Sequence, residues 1–130
     1  MPRGYTVATA ALALDLPVKW IDNVLSHYII PGVVQQRQGV SRKLSIEGLL
    51  IVAVTAFLIR EINTPMSSAI AIARTLAENE GQYESREGLE LFLDMPAFRT
   101  SLLARLEVAV ETAPAPRRGR PPGNKTGRLD

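Results

Sequence analysis

The chain has 130 residues and 14.2 kDa, 46% hydrophobic and 22% charged, with a formal net charge of +2, which suits one small domain with a tail. It contains no cysteine and a single histidine, His27, which excludes disulfides, thiolate metal sites and cysteine nucleophiles and leaves little material for a histidine metal site or a Ser-His-Asp arrangement. The composition therefore argues against an enzyme; no cofactor and no metal is expected, and with three Phe, three Tyr and one Trp the core must be filled by small aliphatic side chains.

Tyr5-Thr6-Val7 reads as an entry into a helix with Thr6 as its cap, and Val7, Ala10, Ala11 and Leu14 follow at helical spacing. Asp15 tolerates a turn, and Pro17 starts helices better than it continues them. A second helix is predicted from about Pro17 to Tyr28, with Trp20, Ile21, Val24 and Leu25 on one face and Lys19, Asp22, Asn23 and Ser26 elsewhere. Pro31-Gly32 ends it. Residues 33–44 have β-prone ends around a polar centre with Gly39, the pattern of a small hairpin. Ser45 caps a third helix running to about Ile62, with Glu47 suited to its N-terminal dipole. Within it, Leu49 to Ile59 carries no charge, but eleven residues fall short of the ~20 that span a bilayer, so it reads as a helix buried on all sides.

Thr64 is expected to cap a fourth helix, with Pro65 in its first position, ending near Asn79 before Gly81. Ser85 is expected to open a further amphipathic helix with Leu89, Phe92 and Leu93 as its stripe. Pro96 breaks or restarts it, and Phe98, Leu102, Leu103, Leu106 and Val110 continue at helical spacing. From Ala113 onward there are four prolines, three glycines and no large apolar residue but Leu129, so the tail is expected to be disordered. A cleavage-site-like Ala11-Leu12-Ala13 lacks a strongly basic start and lies in a well-formed helix, so a signal peptide is not favoured and a cytoplasmic location is expected.

Charge is unevenly spread along these elements. Residues 1–45 carry five cations against two acids, residues 46–112 five arginines against ten acids, and residues 113–130 five cations against one acid. Basic ends around an acidic middle suit a polyanion-binding surface with an acidic portion turned away from it. The order helix, turn, helix, hairpin, helix is that of a winged helix-turn-helix. Its short second helix fits a DNA major groove, and its hairpin offers amides and cations to phosphates. The candidate DNA-binding residues are Thr6, Val18, Lys19, Trp20, Asn23, Arg37, Arg42 and Lys43. Lys19 and Asn23 are four apart on one face, where Lys suits guanine and Asn suits adenine. Trp20 could stack on a base, but its spacing with Val24 favours the core.

These residues resemble the MerR-type winged-helix regulators. Tyr5-Thr6-Val7 is similar to that family's opening Y-T-I, Leu14-Asp15-Leu16 to its L-G-V turn, and Lys19 and Ile21 to positions of its S-P-R-T-I-R. Gly39, Leu44-Ser45, Glu47 and Leu49 resemble its wing and following helix, and Thr64-Pro65 and Ile70 fall where its next helix starts. The resemblance covers residues 5–80 and implies a winged-helix fold, double-stranded DNA as partner and a homodimer. The chain departs from the family pattern at Asp22, Asn23 and Val24, has Pro17 where the family has a serine cap, and carries Ser41-Arg42-Lys43 in a slightly longer wing. The family's long coiled coil and effector domain have no counterpart in the sequence.

In the tail, Pro116-Arg117-Arg118-Gly119-Arg120-Pro121-Pro122 looks like an AT-hook, in which Gly119 permits close approach to the minor-groove floor, Arg118 and Arg120 seek its negative potential, and Pro121 turns the chain out. The bland alternative is a basic solubilising tail. Other signals are weaker. Gly119 to Thr126 lacks the Walker spacing and a preceding strand, and Glu84, Glu87, Glu90 and Asp94 read as a solvated face.

The sequence thus predicts a mainly α protein. A winged helix-turn-helix domain over 1–80 is followed by a helical dimerisation segment over 81–112 and a disordered AT-hook-like tail over 113–130. Leu89, Phe92, Leu93, Leu102, Leu103 and Leu106 are the expected dimer contacts, the alternative being that they fold back on the fourth helix. The expected function is sequence-specific binding of double-stranded DNA as a transcriptional regulator. Two alternatives stay open: an antitoxin-like interaction module with autoregulatory DNA binding, and an architectural or recombination accessory factor.

Overall fold

A computed structural model describes residues 4–34 and 42–112, which are mainly helical with two small antiparallel sheets. In chain order the elements are β1 (Tyr5–Thr6), α1 (Val7–Leu14), α2 (Val18–His27), β2 (Val33–Val34), β3 (Lys43–Leu44), α3 (Ile46–Ile62), α4 (Met66–Glu78), β4 (Gln82–Glu84), β5 (Glu90–Phe92) and α5 (Met95–Thr112).

Most boundaries follow from caps. Thr6 accepts the Thr9 amide at 3.1 Å and opens α1, and Asp15 closes it in the left-handed conformation that a short polar side chain tolerates. Pro17 opens α2 without a side-chain cap. The Ser45 hydroxyl accepts the Gly48 amide at 3.2 Å to open α3, and Asn63, again left-handed, ends it. The first sheet has the order β1-β3-β2, with Tyr5 and Val33 both opposite Leu44. Gly32 carries that sheet into the turn before β2. Its φ is +89°, and a Cβ there would strike Ser45 and the backbone of Gly48.

The core gathers on α3. Every residue from Gly48 to Ala56 is buried, and so is Leu58, but Phe57 is exposed and Ile59 half-buried, so the uncharged run reaches the surface at its end where burial on all sides is expected. Its one polar member, Thr55, donates to the Ile51 carbonyl at 2.7 Å, which satisfies a hydroxyl that would otherwise be stranded. Helix α4 lies along α3 through Ala69, Ile70, Ala73 and Leu76, small and aliphatic residues that let two helices approach closely. Helix α5 lies on α1, burying Leu102, Leu106 and Ala109. Arg105 donates to the carbonyl of Ala13 at 3.4 Å, so a cation sits at the C-terminal end of α1 where the helix dipole favours it.

Two expectations are corrected and a third is narrowed. Thr64 does not cap α4; its hydroxyl donates to the Leu58 carbonyl at 3.3 Å and so finishes α3, while Pro65 is the N-cap position of α4. Residues 82–92 are not helical but form the hairpin β4–β5, turning through Arg86 to Gly88. Gly81, with φ +92°, makes that hairpin possible, since a Cβ there would collide with the Leu93 carbonyl. The Gly81 carbonyl also accepts the Leu93 amide at 2.7 Å. Finally, Pro96 breaks no helix, since a hairpin precedes it, but a helix does start there, as the restart reading expects. Pro96 occupies the first turn of α5, where its missing N–H is harmless, and Asp94 caps that turn by accepting the Ala97 amide at 3.1 Å.

Candidate functional site

Lys19, Asp22, Asn23 and Ser26 stand at i, i+3, i+4 and i+7 on α2 and form one stripe on its outer side, opposite buried Ile21, Val24 and Leu25. Lys19, Asn23 and Ser26 are exposed. The strand end at Arg42 leans across to this stripe. Its guanidinium lies 3.6 Å from the Asp22 carboxylate and donates to the Ser26 hydroxyl at 3.2 Å. The second helix and the first sheet therefore present one continuous surface, pinned by a side chain from each. Lys19 on this surface and Lys43 of β3 are exposed and without an ion-pair partner among the described residues, whereas Arg42 pairs with Asp22.

The other expected contacts are placed unequally. Val18 is 46% exposed at the start of α2 and adjoins the stripe. Trp20 is half-buried and packs on the core, as its spacing with Val24 favours. Thr6 lies beside Lys43 in the sheet register, but its hydroxyl is occupied by the Thr9 amide and the Thr9 hydroxyl, so its role is capping. The His27 ring nitrogen Nδ1 donates to the Asn23 carbonyl at 2.8 Å. Arg37, in the expected hairpin, and Arg117, Arg118, Gly119, Arg120 and Pro121, in the tail, lie outside the described residues.

Helix α5 returns to the first sheet. Tyr5 of β1 lines one groove with Leu103, Leu106, Glu107, Val110 and Glu111 of α5. The last turns of α5 thus end beside β1, which pairs with β3.

The six expected dimer contacts do not share a face. Leu102 and Leu106 are each only 2% exposed and belong to the chain's own core, packed with α1 and not with α4. Leu103 is partly exposed beside that seam, Leu93 is half-buried, and Leu89 and Phe92 stand outward on the β4–β5 hairpin. The helical spacing of the sequence joined side chains that a strand separates.

Sequence reasoning missed the role of Asp22 and Ser26. Both lie on the α2 stripe by simple periodicity, but their partner Arg42 reaches them across a turn whose path periodicity does not give. Among the described residues no group of three or more His, Asp or Glu side chains is arranged to hold a metal ion, and no helix is long and apolar enough to cross a membrane. No protein-family model, curated protein or solved structure matches the chain.

Proposed function

We propose that the chain binds double-stranded DNA as a small regulator, with the outer stripe of α2 in the major groove and the β2–β3 region acting as a wing on the phosphates. The observation that carries this reading is the joining of α2 to the approach to β3, where Arg42 meets the stripe that holds Lys19 and Asn23 and is followed in the chain by exposed Lys43. Lys19 and Asn23 offer the donor and acceptor groups that read base edges, and Lys43 offers a phosphate contact. The likeness of residues 5–80 to MerR-type regulators supports the same assignment. The tail adds Arg117, Arg118 and Arg120 as a minor-groove anchor, and tethering raises apparent affinity through effective concentration.

Asp22 shapes how this surface works. A carboxylate in the middle of the reading face repels phosphate and holds Arg42 back from it. Arg42 must exchange one anion for another on binding, so it adds little affinity while fixing the angle between helix and wing.

The test is fluorescence anisotropy of the full chain and of residues 1–112 on A/T-rich and G/C-rich duplexes across a salt series. Both should bind, with the shorter chain weaker and its salt slope shallower because fewer phosphates are neutralised. Absence of duplex binding by the full chain at low salt would remove this reading.

A further inference from the structure

We propose that the β4–β5 hairpin and the notch beside it dock an extended basic segment of a partner protein, one carrying an aromatic or aliphatic anchor between lysines or arginines. Two adjoining surface grooves carry the argument. The first is an apolar notch of about 140 Å³ lined by Phe57, Leu58, Ile62, Leu91, Phe92 and Leu93 among others. The second runs over the hairpin between Gln82, Glu84, Glu90 and Phe92, and it shares Leu91 and Phe92 with the first.

The exposed aromatics are the unusual feature. The chain has only three phenylalanines, and two of them line this notch from the surface. Phe92 is 74% exposed and Phe57 39%, with Ile62 and Leu89 also outward. A core short of aromatics gains nothing by leaving them in water, and apolar side chains grouped in this way mark contact surfaces. The hairpin makes the surface acidic. Glu84 stands directly opposite Glu90 in the register, a like-charge pair that weakens a two-stranded sheet. Neither carboxylate has an ion-pair partner among the described residues. A cation laid between them relieves the repulsion, and an anchor a residue or two away falls on Phe92.

The backbone supplies the third element. Ser85 donates to Leu89 and Leu93 donates to Gly81, on either side of the Tyr83–Leu91 pair. By the alternation of antiparallel pairing, the N–H and C=O groups of Glu90 and Phe92 then point away from β4. Strand β4 leans on α4, and β5 offers a free edge to an added strand. Glu90 and Phe92 stand two apart on one face of β5, which fits a segment carrying a basic and an apolar side chain two residues apart. The proposal does not depend on the DNA reading, because the hairpin precedes α5, whereas the groove that α5 shares with β1 runs from Leu103 to Glu111 and has no residue in common with the hairpin grooves.

The probe is a fluorescein-labelled twelve-residue peptide of alternating lysine with a central phenylalanine–leucine anchor, titrated with the full chain. The control peptide replaces the lysines with glutamate. The lysine peptide should bind and the control should not; Phe92→Ser and the double variant Glu84→Gln/Glu90→Gln should each weaken binding about tenfold. Glu107→Gln/Glu111→Gln, at the other end of α5, should leave it within about twofold, as expected of rim charges remote from the contact. Amide exchange at Glu90 and Phe92 should slow on binding. Equal binding by all variants, no binding of the lysine peptide, or unchanged exchange at those amides would overturn the proposal. So would self-association of the full chain in sedimentation that Phe92→Ser abolishes, since the notch would then hold a second copy. Because Phe92 is exposed, its variant should melt like the parent, and duplex binding should be unaffected, which separates this site from the DNA surface.

Discussion

Helix α5 begins beside a hairpin rich in carboxylates and exposed phenylalanine, and it ends beside a sheet that carries lysine. The two ends are held by different means. At the basic end, Gly32 sets the turn into β2, but α2 and β3 are joined to each other by side chains, Arg42 with Asp22 and Ser26. At the acidic end, the hairpin is placed by backbone geometry, with Gly81 as the joint between α4, β4 and the approach to α5. A surface held by side chains can be tuned by single substitutions, whereas one held at a glycine joint is kept or lost as a whole.

Gly81→Ala is the severest test of that difference. Its Cβ would meet the Leu93 carbonyl in a left-handed backbone, and destabilisation of about 3 kcal/mol or more is expected in urea unfolding. Peptide binding at the hairpin should be lost in the same variant. A mild effect would show that the hairpin has another anchor. Leu106→Ala asks whether α5 belongs to this chain's core or to a subunit interface. A loss of about 3 kcal/mol from the cavity left behind is expected, with a midpoint that does not depend on protein concentration. A concentration-dependent midpoint would return Leu102 and Leu106 to a dimer.

The boundaries of α1, α2 and α3 were legible because caps and prolines act locally. Ser45 and Pro17 declare a helix start within a few residues, and a long uncharged run can only be an enclosed helix. The region 82–92 was not legible. Leu89, Phe92 and Leu93 fall at i, i+3 and i+4, which imitates a helical stripe, and strands of three residues are too short to display a period of two. Gly81, Ser85 and Gly88 were the available turn signals, and Asp94 before Pro96 was the signature of a capped new helix. For the α2 stripe, Lys19 and Asn23 were found by spacing, but the partner of Arg42 depends on where the chain returns after a turn, and nothing local fixes that.

Two smaller effects sharpen the contrast at the basic end. Asp22→Asn should free Arg42 and remove a repulsive charge, tightening duplex binding about fivefold at low salt, while Arg42→Gln in the same background should cancel most of the gain. If Asp22→Asn weakens binding, the carboxylate is itself a reading group. Thr6→Ala should lower stability by about 1 kcal/mol through the lost cap and leave duplex affinity unchanged. An affinity loss with no change in stability would reassign its hydroxyl to DNA.

The packing of α5 on α1 also governs how the chain reaches its native state. The bond from Arg105 to Ala13 spans 92 positions, and the seam around it closes the first helix against the last. During synthesis α1 therefore emerges long before its partner, with buried Ala10, Ala11 and Leu14 still open to water. Contacts between such distant segments form late and slowly, because the intervening loop must close first. The middle helices α3 and α4, neighbours in sequence, can pair as soon as both are made. The middle of the chain thus pairs first and its two ends close last, and until α5 arrives the nascent chain exposes an apolar face suited to a chaperone.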